Sequence, residues 1–96
     1  LSDAKLLDYA ATLERRVERG RHLDEAVSTW LLRMPVWWAL WLEMLQHAND
    51  QGVVCVDNLK AWAWLDTKRK RRYFMRTLAD FGVIEELEHG KVRLLA

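Results

Sequence analysis

A single cysteine and a single proline in 96 residues exclude a good deal at once. Cys55 has no partner for an intramolecular disulfide, so the chain is not a disulfide-stapled scaffold. A buried, inert thiol in a reducing, intracellular setting (cytoplasm, nucleoid or nucleus) is the expectation. The three histidines, His22, His47 and His89, fall in three different expected elements. Without H-x-x-x-H or C-x-x-C spacing no zinc site is expected, and no other cofactor is implied. Nothing in the spacing sets Cys55 beside a histidine as a nucleophile. The four glycines, at positions 20, 52, 82 and 90, are isolated and build no phosphate-cradling loop. The chain therefore reads as a non-enzyme. Long hydrophobic runs are missing as well. The most apolar stretch, Met34 to Leu45, is about twelve residues long, whereas a membrane span needs about twenty. No signal-peptide pattern opens the chain, which starts on Leu1 rather than Met, as a domain excised from a longer protein would.

The most informative scarcity is of acids. The whole chain carries a net charge of only +1, yet Lys60 to Arg76 holds seven cations and one acid, Asp66. Between Thr67 and Thr77 there are no acids at all. Ordinary solvated helices interleave the two signs for i, i+4 pairing. This one does not, and the uneven distribution says more about a nucleic-acid partner than the net charge does.

Helical periodicity separates that charge from a core. With Phe74 as the origin, Leu78 and Phe81 fall within about 40° of it, and the three are expected to pack together. Lys68, Arg69, Arg72 and Arg76 fall between about 120° and 220°, on the opposite face. Tyr73 lies at the edge of the cationic face. Thr67 reads as the N-cap of this helix, and the helix stops at Gly82. Val83 to Leu87 and Val92 to Leu95 read as a hairpin around a tight turn at Glu88 to Lys91.

Upstream, Pro35 opens an apolar helix, V-W-W-A-L-W-L-E-M-L-Q-H-A, expected to stop at Gly52. Val53 to Val56 is a short β-branched run. Asp57 reads as the N-cap of a second helix, N-L-K-A-W-A-W-L, with Leu59, Trp62 and Leu65 inward. Leu65 to Thr67 makes a three-residue turn. Ahead of these, Ser2 to Arg19 reads as an amphipathic helix with Leu6, Ala10, Leu13 and Val17 on one face, ended by Gly20. Asp24 caps another helix that stops before Pro35.

The ordered series from Pro35 to Ala96 (helix, strand, helix, turn, basic helix, hairpin) resembles the winged helix-turn-helix family. The expected fold is mostly α with a small β-hairpin wing, preceded by two N-terminal helices. Residues 1–34 would form a helical extension and 35–96 the winged helix-turn-helix, together one compact domain. The resemblance implies double-stranded DNA binding in transcriptional regulation, or in replication or partition. The basic helix would enter the major groove, with Lys68, Arg69, Arg72 and Arg76 on bases and phosphates. Thr67 and Tyr73 would meet the backbone, and Lys91 and Arg93 would bring the wing to phosphate. Asp80 and the acids Glu85, Glu86 and Glu88 would confine contact to the N-terminal half of the helix.

Winged helices also serve as protein-interaction modules within larger assemblies, and the six tryptophans keep that alternative open. Trp37, Trp38 and Trp41 share one helix that is apolar around nearly its whole circumference. Such a helix needs cover on all sides, from the N-terminal helices or from a second subunit. Trp64 cannot share a core face with Trp62, two residues away. These four tryptophans are the candidate interface residues for a homodimer or another protein partner.

Overall fold

The computed structural model describes residues 3–16 and 23–95. The expected continuation of the first helix to Arg19 and its stop at Gly20 lie outside those residues. The architecture is mostly helical with a small three-stranded antiparallel sheet, as expected from the sequence. Among the described residues, four helices, α1 (Asp3–Arg16), α2 (Glu25–Leu32), α3 (Pro35–His47) and α4 (Lys68–Asp80), combine with β1 (Val53–Cys55), β2 (Ile84–Glu86) and β3 (Lys91–Leu94).

Local chemistry sets the helix ends. Asp24 accepts a hydrogen bond from the Glu25 amide and caps α2. Met34, just before the proline, is extended at φ −132°, ψ 127°, because a residue preceding proline is pushed out of the helical region. Pro35 then takes the first position of α3, where its missing N–H costs nothing. Leu6, Ala10 and Leu13 of α1 are buried, and α1 packs along α3. With α2 on another side, Val36, Ala39, Leu40, Trp41 and Met44 of α3 all sink into one core that continues to Val92 and Leu94.

Two departures follow α3. The helix ends at His47 rather than running to a glycine stop, and Gly52 instead closes a turn in which its amide donates to Asn49 O. The Asn49 side chain pins that turn by accepting from the Gln51 and Val53 amides. The expected second helix is two 3₁₀ turns, Val56–Asn58 and Lys60–Trp64, separated by an extended Leu59 at φ −82°, ψ 124°. Asp57 sits inside the first turn, and among the described residues its side chain makes no capping hydrogen bond.

The reason for the break lies in α3. Glu43 is 0% exposed, and its carboxylate accepts from the Lys60 amide at 2.8 Å and the Ala61 amide at 2.6 Å. A side chain from a distant helix thus satisfies the starting donors of the second turn, and the chain kinks at Leu59 to present them. Leu59, Ala61 and Leu65 point into the core, while Trp62 is half-buried against it.

The end of α4 is set by Gly82. With φ at +78° it lets the Gly82 amide donate to Ala79 O and the Val83 amide to Leu78 O, a Schellman closure. Leu78 and Val83 pack inward at this junction, but Phe81 does not join Phe74 in the core. It is 40% exposed and rests on Trp30. The sheet order is β1-β3-β2, so the earlier run pairs with the hairpin as its third strand. His89 and Gly90 both have positive φ, 61° and 70°, as the central pair of a type I′ turn requires, and the Lys91 amide closes that turn on Glu88 O at 3.4 Å. Cys55 is half-buried on the outer sheet face opposite Lys91, a correction to the expected buried thiol, because strand alternation gives the inward place to Val54.

Candidate nucleic-acid interface

Thr67 caps α4 as expected, its Oγ1 accepting from the Lys70 amide at 3.2 Å. Phe74, Met75 and Leu78 are buried, which turns Lys68, Arg69, Arg72, Tyr73 and Arg76 outward. Arg69, Arg72, Tyr73, Arg76, Thr77 and Asp80 line one shallow concavity of about 530 Å³. Among the described residues, Lys68, Arg69, Arg72 and Arg76 make no side-chain hydrogen bond or ion pair.

The other two cations of the run are internally engaged. Lys70 donates to Asp66 at 2.9 Å. That hydrogen bond, and then the Lys70 charge, hold the Asp66 carboxyl below its ordinary value. The pair's contribution is therefore complete above the ordinary carboxylate range and is lost as pH falls through the lowered value. Arg71 points back into the fold. Its Nε donates to Leu65 O at 2.7 Å, a terminal nitrogen donates to Trp62 O at 3.2 Å, and its guanidinium lies 5.1 Å from the Trp62 ring centre. The carbonyls at the end of the second 3₁₀ turn are thereby satisfied from α4. Arg71→Ala should cost about 2 kcal/mol of stability by the usual worth of charged hydrogen bonds, whereas Arg69→Ala should stay within about 0.5 kcal/mol as an exposed surface change. Urea denaturation of the two variants checks this contrast, and equal losses would refute it.

On the hairpin, Lys91 and Arg93 share the exposed face of β3. Arg93 is tied to Glu85, its cross-strand neighbour, at 2.8 Å, while Lys91 makes no such bond among the described residues. Of the expected interface tryptophans, Trp41 is 1% exposed and belongs to the core, closed off from any surface contact. Trp37, Trp38 and Trp64 are half-buried, packed against the core.

Sequence reading passed over Trp30. It is 9% exposed and stacks on Trp37 with ring centres 4.1 Å apart and 14° between planes. The rings of Phe74, Tyr73 and Phe81 lie 6.0, 6.2 and 6.0 Å from it. This aromatic cluster fastens α2 and α3 to the flank of α4. The only hint in sequence is that Trp30 lies three residues after Val27 on the buried stripe of α2. Among the described residues, no group of three or more His, Cys, Asp or Glu side chains could hold a metal ion, and no helix is long and apolar enough to cross a membrane.

The chain matches no family model, and no curated protein or solved structure shows significant similarity to it.

Proposed function

We propose that this chain is a winged helix-turn-helix domain that binds double-stranded DNA, with α4 in the major groove and the hairpin against the backbone. The observation that carries the reading is the set of four cations, Lys68, Arg69, Arg72 and Arg76, unpaired among the described residues, on the exposed face of a helix whose other face is core. Arg72 and Arg76 repel each other at i, i+4, and Asp80, one turn beyond Arg76 in the same concavity, makes no ion pair with either among the described residues. Phosphate is the partner that turns this cost into attraction. A helix of 13 residues is about 20 Å long, and its exposed arginine stripe suits a groove about 12 Å wide. Arginine also grips guanine O6 and N7 in a bidentate contact, which a solvated face would not need.

Support from the wing is thinner. Arg93 is held by Glu85, which leaves Lys91 as the hairpin cation without an ion pair among the described residues. Contact then concentrates on α4, and such a domain would serve transcriptional regulation, or replication or partition. Titrating a labelled mixed-sequence duplex with salt tests the reading. Neutralising four to six phosphates gives a log–log slope of roughly −4 to −5. Replacing Arg69, Arg72 and Arg76 together with alanine should flatten that slope by about 3 while the circular dichroism spectrum is retained. No binding at about 50 mM salt, where non-specific association is strong, would sink the proposal. The apolar surface around Tyr73 and Met34 would then be the place to look for a protein partner.

A further inference from the structure

Arg69 and Tyr73 belong to two concavities. One is the shallow arginine face already described. The other is a cleft of about 300 Å³ lined by Met34, Trp37, Leu65, Arg69, Lys70 and Tyr73, where the α2–α3 junction meets the first turns of α4. Its size is at the lower end of small-molecule sites. Four of its six lining residues are apolar or aromatic. Trp37 and Tyr73 form a corner with ring centres 6.0 Å apart, braced from behind by Trp30. Met34, 42% exposed, lies at the junction as a flexible wall able to adapt to a guest.

The charge at the mouth is as selective as the apolar wall, which Arg69 and Lys70 line mainly with their alkyl stems. Both are donors only, Lys70 is already held by Asp66, and Arg69 has no partner among the described residues. A cationic guest would meet repulsion from Arg69. A nucleobase would find the Tyr73 hydroxyl as the one side-chain acceptor among the lining residues for its N–H groups. A peptide helix is too large for the volume. A short apolar body ending in a carboxylate satisfies both halves, with its tail against Trp37 and Leu65 and its head on Arg69.

We propose that this cleft binds a small amphiphilic carboxylate, an acyl or aryl acid, and that its occupancy takes Arg69 away from DNA. The binding stands on the cleft alone, while the regulatory half rests on the DNA-binding reading. Loss of DNA affinity on ligand binding is the expected result, because a carboxylate on Arg69 neutralises the charge that would attract phosphate and competes with it for the same donors.

The chain supplies its own reporters. It has three methionines, and only Met34 lines the cleft, Met44 and Met75 being buried elsewhere. In a methyl-labelled NMR titration, sodium octanoate, kept below its micelle-forming concentration, should shift the Met34 signal saturably. Met44 and Met75 should stay in place. Octylamine should leave Met34 unmoved, and Arg69→Ala should weaken octanoate about tenfold, the worth of one charged hydrogen bond. No saturable Met34 shift, or the same shift with octylamine, overturns the site. With the duplex present, saturating octanoate should reduce DNA affinity severalfold, and unchanged affinity overturns the regulatory half. Octanoate binding by a chain that never binds duplex would uphold the cleft and refute the DNA reading.

Discussion

Glu43→Ala is expected to lose at least about 3 kcal/mol of stability, a large share of the 5–15 kcal/mol typical of a folded domain. The residue is fully buried and both carboxylate oxygens are used, one on the Lys60 amide and one on the Ala61 amide. Removing it strands two donors at the start of the second 3₁₀ turn and leaves a cavity beside Ala61. Glu43→Gln keeps one acceptor but turns an NH₂ group towards an amide, so it should fall between wild type and Ala. Urea denaturation orders the three proteins. A loss below about 1 kcal/mol for Glu43→Ala would show that the turn holds without its cap. The same turn is gripped from the other side by Arg71 of α4. Glu43 and Arg71 therefore clamp one segment from two helices, and their variants should combine non-additively in a double-mutant cycle.

Trp30→Ala is the second large expected effect, at about 3–5 kcal/mol for truncating a buried tryptophan. Trp30 is where α2 reaches both α3 and α4, through Trp37 on one side and Phe74, Tyr73 and Phe81 on the other. In a domain of this size the loss lowers the melting temperature by on the order of 15 °C. Trp30→Phe retains a ring against Trp37 and should recover more than half of it. Thermal melts followed by circular dichroism read both variants. If Trp30→Ala melts within about 3 °C of wild type, less than 1 kcal/mol by the same scaling, the cluster is surface decoration rather than the joint between the N-terminal helices and α4.

Much of this fold is written in short-range signals. Thr67 before a basic run, Pro35 after an extended Met34, Asp24 before an apolar turn and Gly82 after Phe81 each act within a few residues. Their outcomes follow from backbone geometry alone. The division of α4 into a buried face at Phe74 and Leu78 and a cationic face at Arg69, Arg72 and Arg76 is equally local, because helical periodicity fixes it. What escaped depends on partners far along the chain. The N-L-K-A-W-A-W-L segment carries helical spacing, but a carboxylate 17 residues upstream claims its first donors, and the segment breaks into 3₁₀ turns.

The candidate site shows the same limit. Six cations stand in or beside one stripe, and nothing in their order says that Arg71 folds back onto Trp62 and Leu65 while Arg69 stays free. Arg93 reads as a wing contact until its cross-strand neighbour proves to be Glu85. In the tryptophan-rich helix, composition demands cover but does not say which ring receives it. Trp41 went inside and Trp37 stayed at the edge because α1 and α2 lie where they do.

The strand order carries a consequence for how the chain is made. β3 is the middle strand, yet it is the last of the three in sequence. Neither β1 nor β2 has a neighbour to pair with before residue 91 has been synthesised, whatever follows it. The helices can dock during translation, but the sheet must wait. In that interval Val53 to Cys55 presents an unpaired apolar edge, the kind of transient surface that draws chaperones and self-association. Released chains truncated before Lys91 and after Leu94 would therefore differ sharply in protease resistance across β1, since one added strand completes two pairings in a single step.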